Sequence, residues 1–111
     1  MKIDQQRVGT VDVLVPTGAL VDEDGQQFCD VLLEHVQSSS PRVVINMGEV
    51  PYLDSTALEG LLAAADDLAQ RAASLKLVGT TPTCRETFEL TGLAGKFRFF
   101  QSVHDAVKSF L

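Results

Sequence analysis

An acidic residue and two adjacent hydroxyls, Asp54-Ser55-Thr56, stand between an apolar run and a segment with helical periodicity. Side chains of these types at a helix start usually accept hydrogen bonds from free backbone amides. Thr56 and Glu59 have the spacing of a capping box, in which a hydroxyl and a carboxylate three residues later cap the helix together. The sequence therefore predicts Thr56 as the cap, and it leaves open whether Ser55 also carries chemistry.

A catalytic role for Ser55 would require a general base, and the chain offers only His35 and His104. No Gly-x-Ser-x-Gly turn surrounds Ser55, and both histidines fall in helical segments where packing or surface roles are expected. The chain also has no Gly-x-x-x-x-Gly-Lys phosphate loop. We therefore expect that the chain is not an enzyme, so a functional Ser55 would be the substrate of another protein.

The remaining reactive side chains do not indicate a metal site or a disulfide. Asp22-Glu23-Asp24 lacks the alternating spacing and the distal glutamate of a calcium loop, and we expect these acids to cap the first helix. Cys29 and Cys84 have neither a Cys-x-x-Cys spacing nor a neighbouring pair of histidines, so both are expected to be reduced thiols. Hence no metal and no cofactor are expected.

Composition and charge limit the class of partner. A length of 111 residues with 45% apolar side chains suits one domain with a single core. The formal net charge of −6 would repel a phosphate backbone, so nucleic acid is not an expected partner. No apolar run approaches the roughly 18 residues of a membrane span, and the N-terminus lacks the apolar region of a signal peptide. We expect one soluble, cytoplasmic domain over residues 1–111 with no membrane insertion.

Hydrophobic spacing predicts the elements that position these residues. Alternating or continuous β-branched runs predict strands at residues 2–9, 10–18, 42–47, 75–79 and 96–100. The pattern is least clear for the first of these strands. Apolar residues at helical spacing predict helices at 26–37, 58–72, 82–89 and 102–111. Strands that alternate with helices after an initial strand pair predict an α/β fold with a mainly parallel sheet of about five strands and about four helices.

Two segments resemble the signatures of STAS domains, the anti-sigma factor antagonist family. The first, VVINMGEVPYLDSTALEGLL, runs from a β-branched strand through a turn and an aromatic residue to Asp-Ser-Thr. The second, LKLVGTTPTCRETFELTGL, combines a strand, a helix that begins at proline and a Thr-Gly-Leu ending. The resemblance covers essentially the whole chain and implies a single STAS domain over residues 1–111.

The resemblance also implies a role for Ser55. It corresponds to the residue that is phosphorylated by a partner anti-sigma factor, which is itself a serine kinase, and a serine phosphatase would reverse the reaction. The unphosphorylated chain would bind the anti-sigma factor and release the sigma factor, and phosphorylation would switch this binding off. ATP would belong to the kinase, so the resemblance implies no cofactor here. The implied partner-binding residues are Gly18, Leu20, Asp22, Asp54, Thr56, Ala57 and Glu59.

Two departures from the family pattern leave an alternative open. Ala57 replaces the usual glycine and adds a methyl group where a partner's backbone would approach. Ala19 and Val21 replace two acids of the family's Gly-Glu-Leu-Asp loop, and Asp22 substitutes for one of them only if the loop shifts by a residue. The alternative is a STAS module that is never phosphorylated and serves as a scaffold or as a regulatory subunit of a transport or multi-sensor complex.

Overall fold

The computed structural model describes all 111 residues of the chain. Its elements confirm the predicted order of strands and helices, including the weak first strand, and add a short 3-10 helix at Ala94–Lys96 that was not predicted. The strands are β1 (Lys2–Val8), β2 (Val11–Thr17), β3 (Val43–Asn46), β4 (Leu75–Val78) and β5 (Phe97–Phe100). The helices are α1 (Asp22–Val36), α2 (Ser55–Gln70), α3 (Pro82–Leu90) and α4 (Val103–Lys108). None of these helices combines the length and the apolar character that crossing a bilayer requires.

The strands form one sheet in the order β1-β2-β3-β4-β5. β1 pairs with β2 in antiparallel orientation, and every later neighbour is parallel, which confirms the prediction of a mainly parallel sheet. The carboxyl ends of the parallel strands meet at one edge of the sheet, where binding sites of α/β folds commonly lie. The loops that follow β2, β3 and β4 therefore leave the sheet at this same edge.

The two faces of the sheet are covered unequally. One face packs against α1, α2 and α3 and forms a cluster of 21 buried residues. The other face has a cluster of 5 buried residues beneath α4, which is only 6 residues long. A short helix cannot cover a whole sheet face, so part of this second face is left to the loops and the chain end around α4.

Two helices begin earlier than the hydrophobic spacing predicted. α1 starts at Asp22 rather than Gln26, and α2 starts at Ser55 rather than Leu58. The first residues of the two helices, Asp22 to Asp24 and Ser55 to Thr56, are polar and exposed, so they show no apolar periodicity. The first backbone amides of a helix have no hydrogen-bond acceptor within the helix. The helical conformation of these residues therefore depends on acceptors from elsewhere in the chain.

α1 and α2 approach each other closely at Gly60. A Cβ added at this position would overlap the Sγ of Cys29, a free thiol, and would lie 3.0 Å from the Cβ of Cys29. The absence of a side chain at Gly60 therefore allows the two helices to pack side by side. Glycine is needed here for helix packing and not for an unusual backbone conformation.

We expect Gly60→Ala to lower the free energy of unfolding by about 1 kcal/mol or more, because overpacking costs about 1–3 kcal/mol and outweighs a helix-propensity gain of up to about 1 kcal/mol. Adding Cys29→Ala should recover part of the loss, since it removes the sulfur that the new methyl group meets. Gly95→Ala is the control, because a Cβ there meets nothing within 4 Å. Urea denaturation measures all four proteins, and wild-type stability of Gly60→Ala would contradict this contact.

Candidate functional site

The site lies where the loops after β2 and β3 run side by side at the carboxyl edge of the sheet. Leu20 and Leu53 form an isolated parallel bridge between these loops. The N–H of Leu20 donates to the carbonyl of Tyr52 at 3.1 Å, and the N–H of Asp54 donates to the carbonyl of Leu20 at 3.0 Å. These backbone hydrogen bonds place the start of α1 next to the start of α2.

Left-handed backbone conformations turn the first loop into position. Gly18 has φ of +111°, which glycine adopts readily, and its N–H donates to the carbonyl of Glu49 at 2.9 Å. Asp22 has φ of +51°, a conformation that aspartate tolerates better than most residues. The loop therefore closes onto the β3–α2 connection at both of its ends.

The carboxylate of Asp54 caps both helices that meet at this edge. Its Oδ1 accepts a hydrogen bond from the N–H of Ala57 in α2 at 2.9 Å, and its Oδ2 accepts one from the N–H of Asp22 in α1 at 2.8 Å. These hydrogen bonds, first that from Ala57 and then that from Asp22, lower the pKa of Asp54 because they stabilise its ionised form. One side chain thus satisfies a terminal amide of each helix.

Two capping predictions are wrong. The cap of α2 is Asp54, whereas Thr56 lies inside the first turn of the helix. The acids Asp22-Glu23-Asp24 also lie inside a first turn, that of α1, and Val21 occupies the cap position without a side-chain hydrogen bond. The acceptor for α1 comes instead from Asp54, 32 residues further along the chain. Capping patterns compare residues within one turn, so they could not reveal an acceptor at that separation.

The structure gathers the predicted site residues at this edge but divides them by exposure. The exposed residues are Asp22, Ser55, Thr56 and Glu59, and the partly exposed ones are Gly18 and Asp54. Leu20 and Ala57 are both 0% exposed, so they support the surface from below and offer no side chain to a partner. Sequence reasoning had not placed Tyr52 among the site residues; it is 52% exposed and lies in the same loop.

The position of Ala57 corrects the expectation that its methyl group faces a partner. The methyl group points towards α1, where a Cβ added at Gly25 would lie 3.4 Å from the Cβ of Ala57. The methyl group of Ala57 therefore packs between the two helices and is not part of the exposed surface.

The exposed surface around Ser55 is acidic. Asp54 and Glu59 flank Ser55 and Thr56 in α2, and Asp22-Glu23-Asp24 forms the adjoining turn of α1. Only Asp24 among these acids lies near a cation, with the N-terminal amine at 3.3 Å. A protein that binds this surface would gain affinity from basic side chains.

The histidines do not contribute a general base to this edge. His35 forms hydrogen bonds of 3.0 Å with Asp12 and of 3.0 Å with Gln5, at the other end of α1. His104 is exposed on α4. The hydroxyl of Ser55 is therefore available to an external protein, while no histidine of this chain is placed to activate it.

Comparisons with known proteins agree with the fold. The model of the STAS domain family matches residues 2–106. BtrV of Bordetella bronchiseptica, whose name describes a candidate anti-sigma factor antagonist, is 26% identical over 110 residues, which cover 99% of this chain and 95% of that protein.

Solved structures show the same fold. A candidate anti-sigma factor antagonist of Thermotoga maritima matches with a TM-score of 0.86 at 18% identity, covering 96% of this chain and 92% of that one. The phosphorylated form of the Bacillus cell fate determinant SpoIIAA matches with a TM-score of 0.76 at 17% identity, covering 99% of this chain and 100% of that one. At these identities the matches establish the fold alone.

We expect Asp54→Ala to lower the Tm by several degrees, because it removes the acceptor for amides of two helices. Thr56→Ala is the matched control and should change the free energy of unfolding by no more than about 0.5 kcal/mol, since its side chain makes no capping hydrogen bond. Thermal unfolding at neutral pH measures both variants. Equal losses, or a larger loss for Thr56→Ala, would contradict the double cap.

The double cap also predicts a dependence on pH. The pKa of Asp54 is lowered from its ordinary value of 3.8, so its contribution is fully present above pH 3.8 and is lost as the pH falls through the lower native value. The difference in Tm between wild type and Asp54→Asn should therefore stay constant above that pH and shrink in acid. A difference that grows on acidification would contradict the ionised cap.

Proposed function

The chain belongs to the STAS domain family, and we propose that it acts there as an anti-sigma factor antagonist whose binding is controlled by phosphorylation of Ser55. The unphosphorylated chain binds an anti-sigma factor that is also a serine kinase, and the sigma factor is released. Phosphorylation by that kinase ends the binding, and a serine phosphatase restores it. These partners act in the cytoplasm, and the kinase holds the ATP, so this chain needs no cofactor.

The observation that carries the proposal is the exposed hydroxyl of Ser55 at the first position of α2. The preceding residue, Asp54, is held by its two capping hydrogen bonds, so the serine is presented on a fixed backbone. Two likenesses support the assignment: BtrV is named as a candidate antagonist, and SpoIIAA, which shares the fold, has been solved in a phosphorylated form.

The fold would tolerate a phosphate on Ser55, whereas a partner's surface would not. A phosphoserine adds close to two negative charges, and the amino end of a helix of 16 residues favours an anion. The partner, however, would meet a bulky dianion beside the ionised carboxylate of Asp54. A loss of about 2.7 kcal/mol in binding free energy already weakens affinity about 100-fold. The switch therefore acts on the interface and leaves the domain folded.

The acidic surroundings of Ser55 indicate the charge of the partner's contact surface. Asp22 and Glu59 stay exposed and without an ion-pair partner, so a basic surface on the anti-sigma factor would complement them. Gly18 and Leu20 contribute indirectly, since their backbone hydrogen bonds hold the loop that carries Asp22. Ala57 is compatible with this role because its methyl group is buried against α1.

Phosphorylation and binding are tested together with Ser55→Ala, Ser55→Asp and Thr56→Ala. Ser55→Ala should bind the anti-sigma factor but gain no phosphate, as measured by intact mass after incubation with the cognate kinase and ATP. Ser55→Asp should bind more weakly than wild type but more tightly than phosphorylated protein, because aspartate carries one charge and fewer oxygens than phosphate. Thr56→Ala should still gain one phosphate, because Ser55 is intact, and its binding should still be lost on phosphorylation.

Two outcomes would change the assignment. If Ser55→Ala still gains phosphate, the modified residue is Thr56 or another hydroxyl. If stoichiometrically phosphorylated protein binds as well as unphosphorylated protein, the switch is absent. The chain is then the unswitched alternative, a scaffold or a regulatory subunit of a transport or multi-sensor complex.

A further inference from the structure

A cluster of cations without carboxylate partners lies at the end of the sheet opposite Ser55. Arg42 directly precedes β3, and Lys76 and Arg98 are register partners in β4 and β5. The three side chains line one cleft of about 310 Å³ together with Phe110. None of them belongs to the ion pairs of the chain, although the chain has fifteen acids against nine Lys and Arg.

Lys76 forms the floor of this cleft. It is 4% exposed, its Nζ lies 3.4 Å from the ring centroid of Phe110, and it donates to the Oγ of Ser109 at 2.6 Å. One N–H of the ammonium group is used by Ser109 and the ring of Phe110 covers another side of the group, so Lys76 offers a ligand mainly its positive charge. Buried lysines are rare unless they are paired, and this one has only a neutral hydroxyl and an aromatic ring.

The two arginines are exposed above Lys76 and are positioned by aromatic rings rather than by acids. The Cζ of Arg98 lies 5.2 Å from the ring centroid of Phe100, and the Cζ of Arg42 lies 6.0 Å from that of Phe110. Arg42 also donates to the Oγ1 of Thr10 at 2.9 Å. Stacking of this kind orients a guanidinium group and leaves most of its donors available.

The electrostatic state of the cleft favours an anion. Burial first, and then the positive charges of Arg98 and Arg42, lower the pKa of Lys76, so the cleft brings like charges together at a cost. A bound anion would offset this repulsion and would accept hydrogen bonds from the free N–H groups of the two arginines. The chain as a whole has a net charge of −6, so this group of three cations does not follow from a basic overall composition.

We propose that this cleft binds a small soluble anion that carries two or more phosphate groups, such as pyrophosphate or the phosphate end of a nucleotide. Guanidinium groups bind phosphate oxygens in a bidentate manner, and Lys76 adds a point charge beneath them. The volume of about 310 Å³ lies at the lower limit of ligand pockets, which span roughly 300–1,000 Å³, and suits a diphosphate. A flat membrane surface would meet the two arginines but would not reach Lys76. This site does not depend on the proposed function of Ser55.

Binding is tested by calorimetry and by amide chemical shifts with the full chain, using pyrophosphate, ATP, adenosine, and vesicles of phosphatidylcholine doped with phosphatidic acid. Pyrophosphate and ATP should bind and should shift the amides of Arg42, Lys76 and Arg98, whereas adenosine should not bind. Arg42→Gln and Arg98→Gln should each weaken pyrophosphate binding roughly tenfold or more, because each removes a charge-assisted contact.

Arg85→Gln is the matched control. Arg85 also stacks on a ring, that of Phe99 at 3.8 Å, but it is paired with Glu89 at 3.0 Å. Its replacement removes the same charge and should leave pyrophosphate binding unchanged, while melting curves check that every variant is folded. Absence of pyrophosphate and ATP binding, equal weakening by Arg85→Gln, or binding to the vesicles alone would overturn the proposal.

Discussion

The carboxylate of Asp54 is the interaction on which the carboxyl edge of the sheet depends. Its two oxygens accept hydrogen bonds from backbone amides of different helices. One amide is that of Asp22 in α1, and the other is that of Ala57 in α2. Since α1 has no side-chain cap of its own, this bond joins the start of α1 to the start of α2. The exposed position of Ser55 follows from the same bond, because the serine is the next residue after the shared cap.

This double use of Asp54 also limits what it can do for a partner. Both oxygens are occupied by backbone amides, so the carboxylate contributes its charge to the surface more than it contributes a free acceptor. Besides the carboxylates of Asp22 and Glu59, the exposed groups at this edge are the hydroxyls of Ser55 and Thr56 and the side chain of Tyr52. The capping residue and the proposed recognition surface thus share three consecutive positions, Asp54 to Thr56, without competing for the same atoms.

The two ends of the sheet differ in charge. Acids surround Ser55 at the carboxyl edge, while Arg42, Lys76 and Arg98 gather at the amino end beneath the short helix α4. Gly60 allows α2 to approach Cys29 of α1 closely on one face of the sheet. The opposite face has only α4 to cover it, which is why a lysine in β4 can lie beside a cleft rather than in the main core.

Local spacing in the sequence determined the strands, the order of the elements and the end of α3, because alternation and helical periodicity record which side of an element is buried. The Thr-Gly-Leu segment follows α3, and its Gly92 has φ of +74°, as a glycine after a helix commonly does. The Asp-Ser-Thr trio was also recognisable as the start of a helix with a candidate hydroxyl. Only the tertiary structure decided which residue caps which helix, that Ala57 and Leu20 are buried, and that Lys76 meets two arginines. These features depend on strand order and on contacts between residues far apart in the chain, such as Asp22 and Asp54, and a periodicity within one element carries no information about them.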